Sequence, residues 1–367
     1  MSPFERVVVV DSGVDRYRTD TAYAEHPDFV NSDGSNQITL RGISAGRGWS
    51  GTACANNRGF PPIYTAHGTA VAGIVGAANR NAKGIAGIVR RHAQIIPAQV
   101  RESRPNWYFG FAVANALYMI GVCWNQLDNP RIVSISIIFY KGSSFDNYFG
   151  YTPIKRAIQW LTDSGGVTVV AAAGNQDQNV NGYPAAFDEV IGVTGLARSY
   201  YKAKRAASCE GGSNYGTWYE VSGYYGCEDA KTDLTAFWKM IPTLDISGAR
   251  GYVGLGDYYS RSGDYHVGFS GTSAAAPMVS GLVALMRSAD MFLNFDQVRQ
   301  IIIESQHPNI DDRYDFVGCR GASPDASFQD CRMHPKRSGR SCNDDATNEV
   351  CSLPRPVGGN PHTLPRL

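Results

Sequence analysis

Short apolar runs alternate along the chain with longer stretches of helical period. Val7-Val8-Val9-Val10 is apolar without a break, and Val167 to Ala173 is nearly so. Unbroken runs of this length, rather than an in-out alternation, mark strands covered on both faces, as in a parallel sheet flanked by helices. The pattern predicts strands over Arg6–Val10, Ala93–Val100, Arg131–Phe139, Val167–Ala173 and Glu189–Thr194. It predicts helices over His67–Ala78, Tyr108–Asn125, Pro153–Asp163, Ser273–Ser288 and Phe295–Ser305. Strands alternating with helices in this way give an α/β fold, a doubly wound parallel sheet with helices on both faces.

Three segments break the rhythm: 31–62, 198–265, and the chain beyond about Gly318. The second is rich in Gly, Tyr and Ser and reads as surface loops inserted into the fold, not as core. The last has no apolar period. The expected organisation is one unit over 1–317 and a Cys-containing tail over 318–367, with no internal repeat.

Composition narrows the class. With 43% apolar and 18% charged residues the chain can bury a full core, and 40 glycines point to many tight turns. A net charge of +1 gives no electrostatic reason to expect nucleic acid or an anionic membrane as partner. The longest run free of strongly polar residues, Ala116–Trp124, is well short of the roughly 18 residues that span a bilayer. Met1–Arg6 lead straight into the valines without the pattern of a signal peptide, so either an intracellular chain or a mature fragment is expected. None of the eight cysteines forms C-x-x-C, which argues against zinc. Four crowd the last fifty or so residues, and Cys209 and Cys227 flank a Gly/Tyr-rich stretch, which suggests disulfides and a secreted location, with the cytoplasm as alternative. Cys123, on the apolar face of a helix, reads as a buried free thiol.

Four elements stand where chemistry is expected, each with a plain alternative. Asp11 ends the valine strand, where open α/β sheets carry reactive groups, although Asp11-Ser12-Gly13-Val14-Asp15 is also an ordinary turn. His67 opens a helix of small residues and could be a surface residue. Asn175 follows a buried strand, and Asn is common in turns. Ser273, in Gly271-Thr272-Ser273-Ala274-Ala275-Ala276-Pro277, could be an N-cap, with Pro277 in the first turn of its helix.

Together, in this order and with these flanks, the four closely resemble the subtilisin-like serine proteases. The likeness extends from about Val7 to Ser305. It includes His26-Pro27-Asp28, His67-Gly68-Thr69-x-Val71-Ala72-Gly73, Asn81-Ala82-Lys83-Gly84-Ile85-Ala86-Gly87, Ala172-Ala173-Gly174-Asn175, Gly182-Tyr183-Pro184-Ala185 and the Ser273 segment. The resemblance implies a serine endopeptidase with Ser273 as nucleophile, His67 as general base and Asp11 orienting it. It also implies an oxyanion hole made of the Asn175 side chain and the Ser273 N–H. Substrate would line Ser136, Ile138, Phe139, Ala173, Gly174 and Gly182. The reaction needs no cofactor, while Asp28, Asn79 and Asn81 fall where the family holds a structural Ca²⁺, although the loop length differs here. The implied partners are a protein or peptide substrate and a propeptide or inhibitor outside this chain; a monomer is expected, and neither nucleic acid nor membrane.

The sequence also departs from the family. Ile138 and Phe139 replace two glycines after Ser136, and Arg104-Pro105-Asn106 replaces a Gly-rich edge strand. Gly182 matches the glycine that leaves the main specificity pocket open, which implies a large apolar residue before the scissile bond. Ile138 and Phe139 either obstruct the cleft or, after a change of register, turn into the core. Two further readings follow from a restricted cleft: a silent or gated fold that binds peptides, and a processing enzyme for one dedicated peptide.

Overall fold

The computed structural model describes residues 5–19, 22–38, 42–45, 66–90, 93–100, 106–139, 151–176, 182–196, 213–214, 233–248, 251–252 and 263–305. In chain order its elements begin with β1 (Glu5–Asp11), β2 (Arg16–Thr19), β3 (Ala22–Glu25), β4 (Ile43–Ala45), α1 (His67–Gly76), β5 (Ala93–Val100) and α2 (Asn106–Val122). They continue with β6 (Ile132–Ile135), α3 (Tyr151–Gly165), β7 (Thr168–Ala172), β8 (Val190–Leu196), β9 (Leu234–Phe237), β10 (Ile241–Leu244), β11 (Tyr265–Phe269), α4 (Thr272–Ala289) and α5 (Phe295–Glu304).

Seven strands form one sheet in the order β4-β5-β1-β6-β7-β8-β9, and every pairing in it is parallel. Two antiparallel ribbons, β2-β3 and β10-β11, stand apart from it. The α/β, doubly wound arrangement predicted from the apolar runs is therefore the observed fold. Val7 and Val9 face one cluster of buried side chains, and Val8 and Val10 the other. This is why β1 is apolar at every position: its pleat sends alternate side chains to opposite, equally dry faces. Helices α1, α4 and α5 cover the Val7/Val9 face; α2 and α3 cover the Val8/Val10 face.

The strand order reverses at β1, with β4 and β5 on one side and β6 to β9 on the other. A crevice at the carboxyl ends of the strands belongs at such a point. Asp11 is the last residue of β1, and Ser136 follows the last residue of β6. Helix α4 packs across several strands at once, and buried Arg287 fixes its far end. The Arg287 Nη2 donates to the Gly166 carbonyl at 3.0 Å and to Thr168 Oγ1 at 2.9 Å. Burial, then the neighbouring Arg131, lower its pKa to about 10.

Several elements differ from their predicted form. Strand β6 stops at Ile135, because its partners on both sides pair only as far as Val10 and Ala171; the chain then peels away to a single bridge between Phe139 and Tyr183. Pro277 is the sixth residue of α4, not in its first turn. The stretch read as loops over 198–265 supplies β9, an edge strand of the main sheet, and β10, with Leu234 and Leu244 buried in the core. These strands are only four residues long and β10 contains Pro242, so no run announced them. Cys123 is fully buried as expected, but it is disulfide-bonded, which corrects the free thiol. Burial in an apolar setting does not distinguish a thiol from a cystine. Cys209, Cys227 and the tail beyond 305 lie outside the described residues, as do Arg104 and Pro105; Asn106 opens α2.

Candidate active site

His67 is the first residue of α1, which starts at the carboxyl end of β1. Its Nδ1 lies 2.9 Å from Asp11 Oδ1 and 3.0 Å from Oδ2. An ionised carboxylate only accepts, so Nδ1 carries the proton and Nε2 is left as the basic nitrogen. Burial alone would lower the imidazole's pKa, but the charge of Asp11 and its hydrogen bond outweigh burial and raise it above the ordinary 6.5. Asp11 is itself buried and oriented by the Ser12 N–H, which donates to Oδ1 at 2.7 Å. The two chain segments approach closely through Gly68, whose N–H donates to Ser12 Oγ at 3.0 Å. A Cβ at Gly68 would collide with the Gly13 carbonyl. Asp15, the second carboxylate of that turn, is directed elsewhere: it accepts from the Ser247 N–H at 2.7 Å.

Ser273 is the second residue of α4. The N-cap is Gly271, at φ 105° and ψ 169°, a conformation open to glycine, so Ser273 is not the cap. The capping acceptor comes from a distant strand. Asn175 Oδ1 accepts from the Thr272 N–H at 2.8 Å and from Thr272 Oγ1 at 3.0 Å. Thr272 Oγ1 in turn accepts from the Gly174 N–H at 3.0 Å. The Asn175 carboxamide is thus locked with its oxygen toward the helix, which leaves Nδ2 turned away from the Thr272 N–H, one residue before Ser273. A helix N-terminus with free N–H groups favours negative charge at this point. Behind the helix, Ser136 Oγ donates to the Ser273 carbonyl at 3.3 Å.

The positions that the resemblance assigns to substrate fall around the same helix end. The Ala173 carbonyl accepts from the Gly182 N–H at 2.7 Å and from Asn214 Nδ2 at 3.0 Å, so Ala173, Gly174 and Gly182 form one hydrogen-bonded corner. Ile138 and Phe139 go separate ways. Phe139 is buried against Phe109, with ring centroids 5.5 Å apart, on the α2 face of the sheet. Ile138 points to the other side. Its Cβ lies 3.1 Å from where a Cβ on Gly182 would stand. Of the two alternatives drawn from the sequence, Phe139 follows the core, and half-buried Ile138 packs against the core cluster on the opposite face, beside Gly182.

The family model of the subtilases, Peptidase_S8, matches residues 5–328. This chain belongs to the subtilase family. Thermitase of Thermoactinomyces vulgaris is 24% identical over 283 residues, which cover 77% of this chain and 75% of thermitase. A thermophilic serine proteinase of Bacillus sp. (strain AK1) is 26% identical over 298 residues, 81% of this chain; the match spans only 55% of that proteinase. Among solved structures, sphericase superposes with a TM-score of 0.56 at 22% identity, covering 82% of this chain and 83% of sphericase, a likeness of fold.

The subtilase calcium positions divide. Asp28 is fully buried, and its carboxylate accepts from Asn81 Nδ2 at 2.8 Å and from the Ile85 N–H at 2.8 Å. Asn81 also donates through Nδ2 to the Val30 carbonyl, while its Oδ1 accepts from the Lys83 N–H. Asn79 Oδ1 is a buried acceptor with no hydrogen-bond partner. Burial raises the Asp28 pKa despite these donors. Calcium needs converging oxygens, whereas Asn81 turns its N–H donor toward Asp28; as arranged, the three residues do not form an oxygen cage. Among the described residues no group of three or more His, Cys, Asp or Glu is placed to hold a metal.

Two contributors to this subtilase site were not singled out from the sequence. Thr272 lay within the quoted Ser273 segment, but its role as hinge between Gly174 and Asn175 appears only in three dimensions. Asn214 clamps the corner, with Nδ2 on the Ala173 carbonyl, its N–H on the Gly174 carbonyl at 2.9 Å, and Oδ1 accepting from the Gln176 N–H at 3.1 Å. It sits in the stretch read as insertion, where nothing in the local pattern marks it.

Proposed function

We propose that this chain is a serine endopeptidase in which Asp11, His67 and Ser273 form the triad. The observation that carries the reading is the His67 Nδ1 contact with both Asp11 oxygens, beside a helix whose end Asn175 caps and whose second residue is Ser273. On this reading His67 Nε2 takes the proton of Ser273 Oγ as the oxygen attacks the peptide carbonyl. The resulting oxyanion sits between Asn175 Nδ2 and the Ser273 N–H. His67 then passes the proton to the leaving amine, the acyl-enzyme forms, and water repeats the sequence in reverse. Asp11 fixes the tautomer and stabilises the imidazolium. The chain's own groups carry every step.

The catalytic unit on this reading is 1–317, with 318–367 as a tail, and the partner is a protein or peptide substrate. The protease of Nostoc that is 32% identical over 174 residues is named calcium-dependent. For this chain we propose instead that N–H donors hold the Asp28 carboxylate.

Ile138 against Gly182 favours a second reading, a processing enzyme for one dedicated peptide, because it narrows the pocket for the residue before the scissile bond. A fluorophosphonate probe tests the first step common to both: wild type should label, Ser273→Ala should not, and the variant should fold normally. Absence of labelling of the folded wild type would favour the silent, peptide-binding alternative. A peptide-library digest then separates broad from dedicated cleavage.

A further inference from the structure

We propose that Tyr252 is a specificity-determining side chain: with His266 and Phe269 it forms an aromatic wall beside His67 that receives an aromatic or large aliphatic side chain on the leaving-group side of the scissile bond. The proposal rests on the protease reading above and adds a residue that the four catalytic motifs do not include.

The wall starts at the general base. The Phe269 ring meets the His67 ring edge-on, with centroids 5.4 Å apart at 65°. His266 lies 6.3 Å from Phe269, and Tyr252 lies over both, 5.3 Å from His266 at 36° and 6.3 Å from Phe269 at 39°. Phe269 is buried, whereas Tyr252 is 50% exposed. Tyr252 is therefore held by aromatic contacts on its inner side and keeps an open surface within one ring's width of the Phe269–His67 pair. Aromatic surface of this kind is well suited to an apolar side chain.

Tyr252 is also fixed in place. Its backbone N–H donates at 2.9 Å to Oδ1 of Asp245, a fully buried carboxylate that also accepts from the Ile246 N–H at 2.8 Å. The preceding Gly251 passes so near Asp245 that a Cβ there would run into the carboxylate. A side chain held this way loses little freedom when a ligand lies against it. Burial first, then the charges of Asp11 and Asp245, raise the phenol pKa to about 12, which places the ring within the field of the triad carboxylate and keeps it neutral. The direction of the peptide follows from the two sides of the site. The corner of Gly182 and Ile138 takes the residue before the scissile bond, and His67 must hand its proton to the amine that departs, so the wall at His67 falls to the leaving group.

The test compares two peptides identical except for Phe or Gly immediately after the scissile bond, using the full chain, Tyr252→Ala, Tyr252→Leu and Tyr252→Phe. Wild type should favour Phe, and Tyr252→Ala should reduce the Phe/Gly ratio of kcat/KM roughly five- to tenfold. Tyr252→Phe should keep the ratio, and Tyr252→Leu, which preserves packing on His266 should the Ala variant not fold, should give an intermediate value. A ratio unchanged in Ala and Leu overturns the proposal, as does an equal loss in Tyr252→Phe, which would assign the effect to the hydroxyl. Wild type that takes no fluorophosphonate label and cleaves neither peptide would instead overturn the protease reading on which this one stands.

Discussion

Ser136 Oγ donates to the Ser273 carbonyl at 3.3 Å, and this carbonyl is the acceptor that Pro277 leaves without a helical partner. In a regular helix the N–H of residue 277 would reach back four residues to 273; proline has none. A hydroxyl from just past the end of β6 takes its place and ties the sheet to the turn that bears Ser273.

Ser136→Ala should therefore lower stability by about 1 kcal/mol or less and reduce kcat only a few-fold. Restoring the missing donor with Pro277→Ala should shrink the effect of Ser136→Ala. A double-mutant cycle in denaturant reads this directly, and additive losses would mean that the two groups do not share the carbonyl.

On the proposed reading Asn175 both caps Thr272 and donates to the oxyanion, and two variants separate the two. Asn175→Ala removes both the cap on Thr272 and the oxyanion donor, so kcat should fall roughly 10² to 10³-fold with little change in KM, the cost of this donor in the family. Thermal stability should drop as well, by about 1 kcal/mol. Asn175→Asp keeps an acceptor for the Thr272 N–H but replaces the donor with a second oxygen, so stability should hold while kcat falls. An effect on KM alone would make Asn175 a turn residue.

The pH profile follows from His67. Its pKa is raised above 6.5 in the folded chain, and the base must be neutral to act, so the ascending limb of kcat/KM should have its midpoint above 6.5. Asp11→Asn removes the charge that raises it and leaves burial, which lowers it, so any residual activity should rise at lower pH. The drop in kcat should be roughly 10³ to 10⁴-fold. The sign for stability is opposite to that for activity. A raised folded pKa stabilises below 6.5 and the benefit fades as pH climbs through the folded value, so wild type should lose stability relative to His67→Gln over that range.

Ile138 and Phe139 should respond differently to truncation. Ile138→Gly opens the space above Gly182 and should admit larger residues before the scissile bond in a library digest. Phe139→Ala empties a core position against Phe109, so it should cost roughly 3 to 5 kcal/mol and leave the cleavage profile as it was. A profile changed by Phe139→Ala and not by Ile138→Gly would reverse the assignment.

The central sheet was legible because its strands are apolar on both faces, a pattern that survives without knowledge of their partners. Asp11, His67 and Ser273 stand out in the sequence because each carries flanking small residues that close packing requires, Gly68 against Gly13 being one. What stayed hidden depends on long-range pairing. Strands β9 and β10 are too short to produce a pattern, Asn214 lies in a polar stretch, and the end of β6 is set by where its neighbours stop. The opposite facing of Ile138 and Phe139 is a property of the peeled-off chain after Ile135, which residue types alone do not determine.

The place of β1 in the sheet also bears on how the molecule is made. Its four valines leave the ribosome well before their partner on one side, Ile132–Ile135 of β6, which follows on the order of a hundred residues later. At the usual pace of translation that delay is on the order of ten seconds. Throughout it, a strand designed for two dry faces has at most one neighbour, and a parallel pairing over such a separation forms slowly. The nascent chain thus presents a strongly adhesive segment well before it can be enclosed, and His67, the partner of Asp11 in the folded chain, is synthesised within the same interval.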